Sequence, residues 1–144
     1  MRLSGARGQS VKAGRFREAA EERWKDAQSL HKARRYDGAV YMCGYVLECF
    51  LKFVICERSG QPSILLKDAK DLGHNLAELL DRSGLATDLR DRNRNPDLFL
   101  AFQRVNAEWS VEIRYDPRGK TEEVSRQFLR DTKDLRSWLQ AQLR

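Results

Sequence analysis

The stretch Asp37-Gly-Ala-Val-Tyr-Met-Cys-Gly-Tyr-Val-Leu-Glu48-Cys-Phe-Leu-Lys52-Phe-Val-Ile-Cys56 decides the fold. Length alone makes residues 38–56 a membrane-span candidate. Glu48 and Lys52 stand near its middle, where each charge costs roughly 2.5 to 3.5 kcal/mol on an insertion scale, and Tyr41, Gly44 and Tyr45 lower its apolar character further. The better reading is a helix from Asp37 to Cys56, apolar almost all round because it is the most buried member of a helical bundle in water. No membrane association is expected.

The flanking sequence supplies partners for that helix. Phe16, Ala20, Trp24, Ala27 and Leu30 recur at spacings of three and four between charged residues, which predicts an amphipathic helix over 14–33, with Asp37 as the N-cap of the next. Pro62 suits the first position of a short helix running to about Lys70. A further helix over 74–82 gathers Leu76, Leu79 and Leu80, and Gly84 suits a left-handed stop with Leu85 as the apolar contact of a Schellman motif. The segment 88–97 reads as an exposed turn, after which Leu98, Phe102, Val105 and Trp109 mark a buried stripe. Val111, Ile113 and Tyr115 alternate with polar neighbours, so 109–120 reads as an extended excursion. Thr121 then caps a last helix whose core face is Val124, Phe128, Leu135, Trp138 and Leu139. The expected fold is therefore all-α: an antiparallel, up-and-down bundle of four to five helices in one domain over 15–144, preceded by a basic arm over 1–14.

Charge is unevenly spread. The chain has 144 residues, of which 33% are charged, and a net charge of +6. Arg2, Arg7, Lys12, Arg15 and Arg17 face no acid within 1–17, so five of the six net charges lie there. Such an arm can touch RNA or an acidic partner, and it reads equally well as a short solvated tail. Cys43, Cys49 and Cys56 sit on one apolar helix, too far apart to pair and at no zinc spacing, so buried thiols in a reducing cytoplasm are expected. An apolar signal core is not seen after the basic N-terminus.

Two constellations carry candidate chemistry. At 100° per residue, Tyr41, Tyr45, Glu48 and Lys52 form a single polar-tipped stripe on the central helix. Glu48 precedes Lys52 by four residues, the favourable order for an ion pair worth only ~0.2 to 0.5 kcal/mol if exposed. The stripe is thus either a rim pair with wet heads or a buried polar cluster with a role in ligand or partner binding. The second constellation is Trp109 with Glu112, Arg114 and Tyr115, where Arg114 could grip a phosphate or carboxylate bidentately. His74, just after Gly73, reads as a turn residue. Gly-rich phosphate loops, paired metal carboxylates and nucleophile–base pairs are not seen, so neither a metal nor a cofactor is expected.

Trp24 with Asp26-Ala27, Arg35-Tyr36-Asp37-Gly38-Ala39, Tyr45-Val46-Leu47-Glu48 with Leu51-Lys52, His74-Asn75-Leu76 with Leu79-Leu80, and Glu112 with Arg114-Tyr115 together resemble the HEPN domain, named for nucleotide binding in higher eukaryotes and prokaryotes. The resemblance covers about 16–142. It implies an antiparallel helical bundle, commonly a homodimer, of the kind that in prokaryotes is encoded beside a minimal nucleotidyltransferase as a toxin–antitoxin pair. Active members are metal-independent RNases that use an arginine and a histidine separated by four to six residues. Here the only histidines are His31 and His74, and neither Arg92, Arg94 nor Arg114 is followed by one at that spacing. The resemblance, with that departure, implies a non-catalytic, dimeric binding module for a partner protein such as a minimal nucleotidyltransferase or for a nucleotide-like ligand; the alternative is a metal-independent RNase or RNA-binding toxin using Arg114 and Tyr115 in place of the usual pair.

Overall fold

A computed structural model describes residues 9–91, 93–109 and 119–143, apart from the side chains of Leu65 and Leu66. The chain forms β1 (Ser10–Lys12), α1 (Ala13–Lys32), α2 (Tyr36–Arg58), β2 (Ser63–Leu65), α3 (Leu66–Asp71), α4 (Leu76–Ser83), α5 (Ala86–Leu89), α6 (Pro96–Glu108) and α7 (Glu122–Ala141). Among the described residues the fold is all-α apart from one two-stranded clip. Three of the seven helices among the described residues are single short turns or little more, which is why the apolar periodicity anticipates four or five.

Helix α2 is the axis of the bundle. It packs chiefly on α1, then on α7 and α4. Val40, Cys43, Val46, Leu47, Phe50, Leu51 and Val54 are wholly buried. It is long and apolar enough to cross a membrane by length and composition, but most of that window is buried inside the fold, as befits a core helix. On the facing helix, Ala20 and Ala27 are also fully buried; such small side chains let two backbones approach closely.

The turn from α1 into α2 differs from the expected N-cap. Arg34 N donates to His31 O and Arg35 N to Leu30 O at 2.8 Å, the paired bonds of a Schellman motif, with Arg34 at φ 62° where glycine is usual. The chain is thereby delivered into α2 one residue earlier, at Tyr36, and α2 has no side-chain cap. Asp37 lies inside the first turn, where its Oδ1 accepts the Lys120 N–H at 2.5 Å. The cap is lost because the carboxylate is drawn to the chain entering α7.

Two other boundaries move. Pro62 does not begin a helix: its carbonyl accepts the Ala13 N–H at 2.8 Å, and β1 pairs antiparallel with β2, Val11 opposite Ile64. The clip takes in Ser10–Lys12 from the segment that sequence alone assigns to the arm. Helix α4 starts at Leu76, capped by Asn75, whose Oδ1 accepts Glu78 N at 3.0 Å. Gly84 is left-handed (φ 80°) as expected. The Schellman bond after it is routed through a side chain instead: Leu85 N donates to Ser83 Oγ, which donates to Leu80 O at 2.6 Å.

The last two long helices are started as the sequence predicts, α6 by Pro96 in its first turn and α7 by Thr121, whose Oγ1 accepts Val124 N at 3.1 Å. Phe102, Val105, Phe128, Leu135 and Leu139 are buried. Val124, read as a core residue, is 38% exposed. It sits in the first turn of α7, where it lines the space between that helix and α6.

Candidate functional site

The polar stripe of α2 is buried. Glu48 and Lys52 are 4% and 8% exposed, so the pair is no wet rim contact. Lys52 Nζ donates to Glu48 Oε2 at 3.1 Å, and His74 Nδ1 lies 3.0 Å from the same oxygen. The His74 side chain is itself 59% exposed and covers the carboxylate from the α3–α4 turn. Glu48 Oε1 is buried without a hydrogen-bond partner among the described residues. A carboxylate taken out of water needs its lone pairs satisfied, so one oxygen carrying two cationic or imidazole donors while the other carries none is a strained arrangement. Cys49, beside this cluster, has its thiol pushed up to about 11, first by burial and then by the Glu48 charge.

One turn earlier the stripe becomes aromatic. The hydroxyls of Tyr41 and Tyr45 are 2.9 Å apart, and both rings meet the indole of Trp109, Tyr45 edge-on with ring centres 5.5 Å apart. Trp109 Nε1 donates to the Tyr41 carbonyl at 2.9 Å. The indole lies flat on the backbone of α2 at Gly44, where a Cβ would come within 1.9 Å of the ring. Glycine is therefore required there by close approach.

The stripe thus brings Tyr41, Tyr45, Glu48 and Lys52 together with His74 and Trp109. Glu112, Arg114 and Tyr115 lie outside the described residues. His74 is the participant that sequence reasoning missed. The pattern on one helix cannot say which distant turn will fold over it, and no periodic signal links positions 48 and 74.

A second feature was also invisible in the sequence. Helices α6 and α7 leave between them a groove of about 540 Å³, lined by Leu100, Ala107, Val124 and Phe128 among others. Leu100 (50%) and Val124 (38%) are the large hydrophobic side chains most exposed among the described residues. Arg104 bridges the groove to Asp131 with two bonds, at 2.9 and 2.8 Å, and Gln127 Nε2 adds a third to the same acid. The Asp131 side chain is only 3% exposed, and its hydrogen bonds raise the affinity of Arg104 for its proton. Glu108 and Lys120, 3.9 Å apart, close the end of the groove nearest α2. Groups of three or more metal-ligating side chains are not found among the described residues.

Comparison with known families gives one finding: the model of the HEPN domain matches residues 13–142. No curated protein matches the chain. No solved structure matches it either.

Proposed function

Since the chain belongs to the HEPN domain family, a family of nucleotide-binding and RNase-type modules, we propose that it acts as a non-catalytic member: a homodimeric binding module that presents its paired bundle to a partner protein. The observation that carries this reading is the α6–α7 groove. A concave surface with Leu100 and Val124 exposed on its lips offers apolar contacts that a second chain can bury. A second copy of the chain is the occupant best matched in charge. The groove's margin carries charges of both signs, Glu108 (60% exposed) with Arg104 (48% exposed) and Lys120, as a self-complementary two-fold contact requires. The partner of the dimer is a minimal nucleotidyltransferase, as the resemblance implies, and the setting is a reducing cytoplasm, consistent with three free cysteines.

Support for the absence of catalysis comes from the histidines. His31 Nδ1 is held 2.8 Å from the buried Ser125 hydroxyl, and His74 Nδ1 is held by Glu48. Both rings are engaged in the fold, and neither follows an arginine at the RNase spacing. General acid–base chemistry on RNA therefore lacks its usual agent.

Sedimentation equilibrium tests the pairing. The wild-type chain is expected to be a dimer at micromolar concentration, and Leu100→Glu with Val124→Glu to raise the dissociation constant at least tenfold, about 1.4 kcal/mol, with unchanged circular dichroism. A wild-type chain that stays monomeric at high concentration overturns it. Incubation with RNA tests the rest: no cleavage is expected with or without chelator. Cleavage that persists in chelator and is lost in Arg114→Ala would replace this reading with the RNase that uses Arg114 and Tyr115.

A further inference from the structure

The corner where α1 turns into α2 holds the start of α7 by three bonds. Asp37 accepts the Lys120 N–H, the Tyr36 hydroxyl donates to Glu122 Oε1 at 3.0 Å, and His31 Nδ1 lies 2.8 Å from Ser125 Oγ. Burial fixes the direction of the last bond. Ser125 is wholly buried, and His31 Nδ1 is the one hydrogen-bond partner of its hydroxyl among the described residues. A buried hydroxyl proton is spent on the acceptor within its reach. Ser125 O–H therefore donates to Nδ1, and the imidazole is neutral with its own proton on Nε2. The Thr121 carbonyl, four residues earlier, takes the Ser125 N–H at 3.0 Å and not the hydroxyl. The ring lies at the end of α1 against the Tyr36 ring of α2, with centres 5.5 Å apart. Around it stand Lys32 on α1, Arg34 and Arg35 in the turn, Asp37 on α2, and Glu122 and Arg126 on α7. Neither acid is bonded to the imidazole: Glu122 is taken by Tyr36 and Arg126, and Asp37 by the Lys120 N–H.

We propose that the His31–Ser125 bond is a proton-operated switch on the α6–α7 groove, so that acid loosens the pairing of two copies. The inference rests on the pairing proposed above. Histidine is the side chain that ordinarily changes charge between about pH 5 and about pH 8. A proton taken from solvent at Nδ1 turns that acceptor into a donor. The Ser125 oxygen then accepts, and its own proton, out of reach of water, passes to the Thr121 carbonyl. A serine hydroxyl bonded back to the carbonyl four residues earlier bends its helix. The turn that bends is the first of α7, which carries Val124 beside Ser125 on the wall of the groove. Val124 is thereby displaced relative to Leu100 on α6, and the two exposed apolar side chains that a second copy would cover no longer stand as they do with the neutral ring. Pairing is tightest when His31 is neutral.

Two measurements test this. The first is sedimentation equilibrium at about pH 8 and about pH 5.5, where the dissociation constant of the wild-type dimer is expected to rise several-fold on acidification. His31→Gln keeps an acceptor for the Ser125 hydroxyl and cannot titrate. Ser125→Ala leaves the ring titratable but has no hydroxyl to reverse. Each is expected to pair equally well at both pH values, whereas His74→Gln is expected to keep the wild-type dependence. The second measurement needs no dimer. In ¹⁵N-labelled Leu100→Arg, which weakens pairing without adding a group that titrates in this range, the amides of Val124 and Ser125 are expected to shift with the midpoint of the His31 ring. Adding Ser125→Ala is expected to abolish the shift at Val124. Failure of the pairing and failure of the switch are thus separate results. A wild-type chain that is monomeric at both pH values while the amides still shift overturns the pairing and upholds the switch. Amides that do not follow His31, or a pH dependence of pairing that survives in Ser125→Ala, overturn the proposal.

Discussion

At the scale of single residues, the pair on α2 shows why burial changes the meaning of a familiar spacing. Glu48 and Lys52 stand four apart, as in countless solvent-exposed helical pairs, yet both are out of water and share their bond with His74. Lys52→Met leaves the buried carboxylate with His74 as its one partner among the described residues and is expected to destabilise by up to about 3 kcal/mol in urea unfolding. Glu48→Leu combined with Lys52→Met is expected to recover most of that loss; a single variant costing under about 1 kcal/mol would show the pair to be solvated in solution. The spacing was legible in the sequence, but its burial was not, because that depends on a histidine supplied by another part of the chain. The thiols give a pH signature. Burial pushes Cys43 up to about 12 and Cys49 up to about 11, against about 8.5 when unfolded. Their folded values are raised, so the stability they contribute is complete below about pH 8.5 and is lost as pH rises toward the folded values. The expected slope is ~1.4 kcal/mol per pH unit per thiol. Cys43→Val is expected to flatten that alkaline decline in urea titrations at successive pH values, and a decline of unchanged slope would place its origin elsewhere.

Whole elements were read best where they are long. Periods of three and four located α1, α6 and α7, because each needs a continuous apolar face to join one core, and an almost unbroken apolar run located α2. The clip of β1 and β2 escaped notice since three-residue strands carry too little pattern, and Pro62 fits a strand-side carbonyl acceptor as well as a helix start. The start of α2 was misplaced for a different reason: an acid beside a glycine is a good cap in isolation, but Lys120, from beyond the segment, claims it. The joint between α2 and α6 is the element-scale feature most open to test. Gly44→Ala puts a methyl group inside the Trp109 ring, so the indole must leave. Overpacking of this kind costs about 1 to 3 kcal/mol; a lowered Tm with red-shifted tryptophan emission is expected. At the α1–α2 turn, Arg34→Gly relieves a left-handed backbone at φ 62°. It is expected to raise thermal stability by up to about 1 kcal/mol, measured as a higher Tm.

For the whole molecule, the all-α reading followed from one apolar helix and its amphipathic neighbours, whereas the cavities did not, since a groove is made by the angle between helices that no sequence period records. If the groove is covered by a second copy, folding and association are linked, and Tm is expected to rise with protein concentration. Leu100→Glu with Val124→Glu is expected to abolish that dependence in calorimetry over a hundredfold dilution series. The two helices forming the groove are tied to the rest of the bundle along their length. Where α6 ends, Trp109 is fixed to the Tyr41 carbonyl; where α7 begins, Lys120 is fixed to Asp37, one turn away on the same helix. Both arms are thus anchored on α2, latched partway along by Arg104 and Asp131, and joined beyond that in the core through Phe102 and Leu135. Held at three levels, the groove is a mould whose shape is fixed before anything enters it, so whatever it receives must fit it.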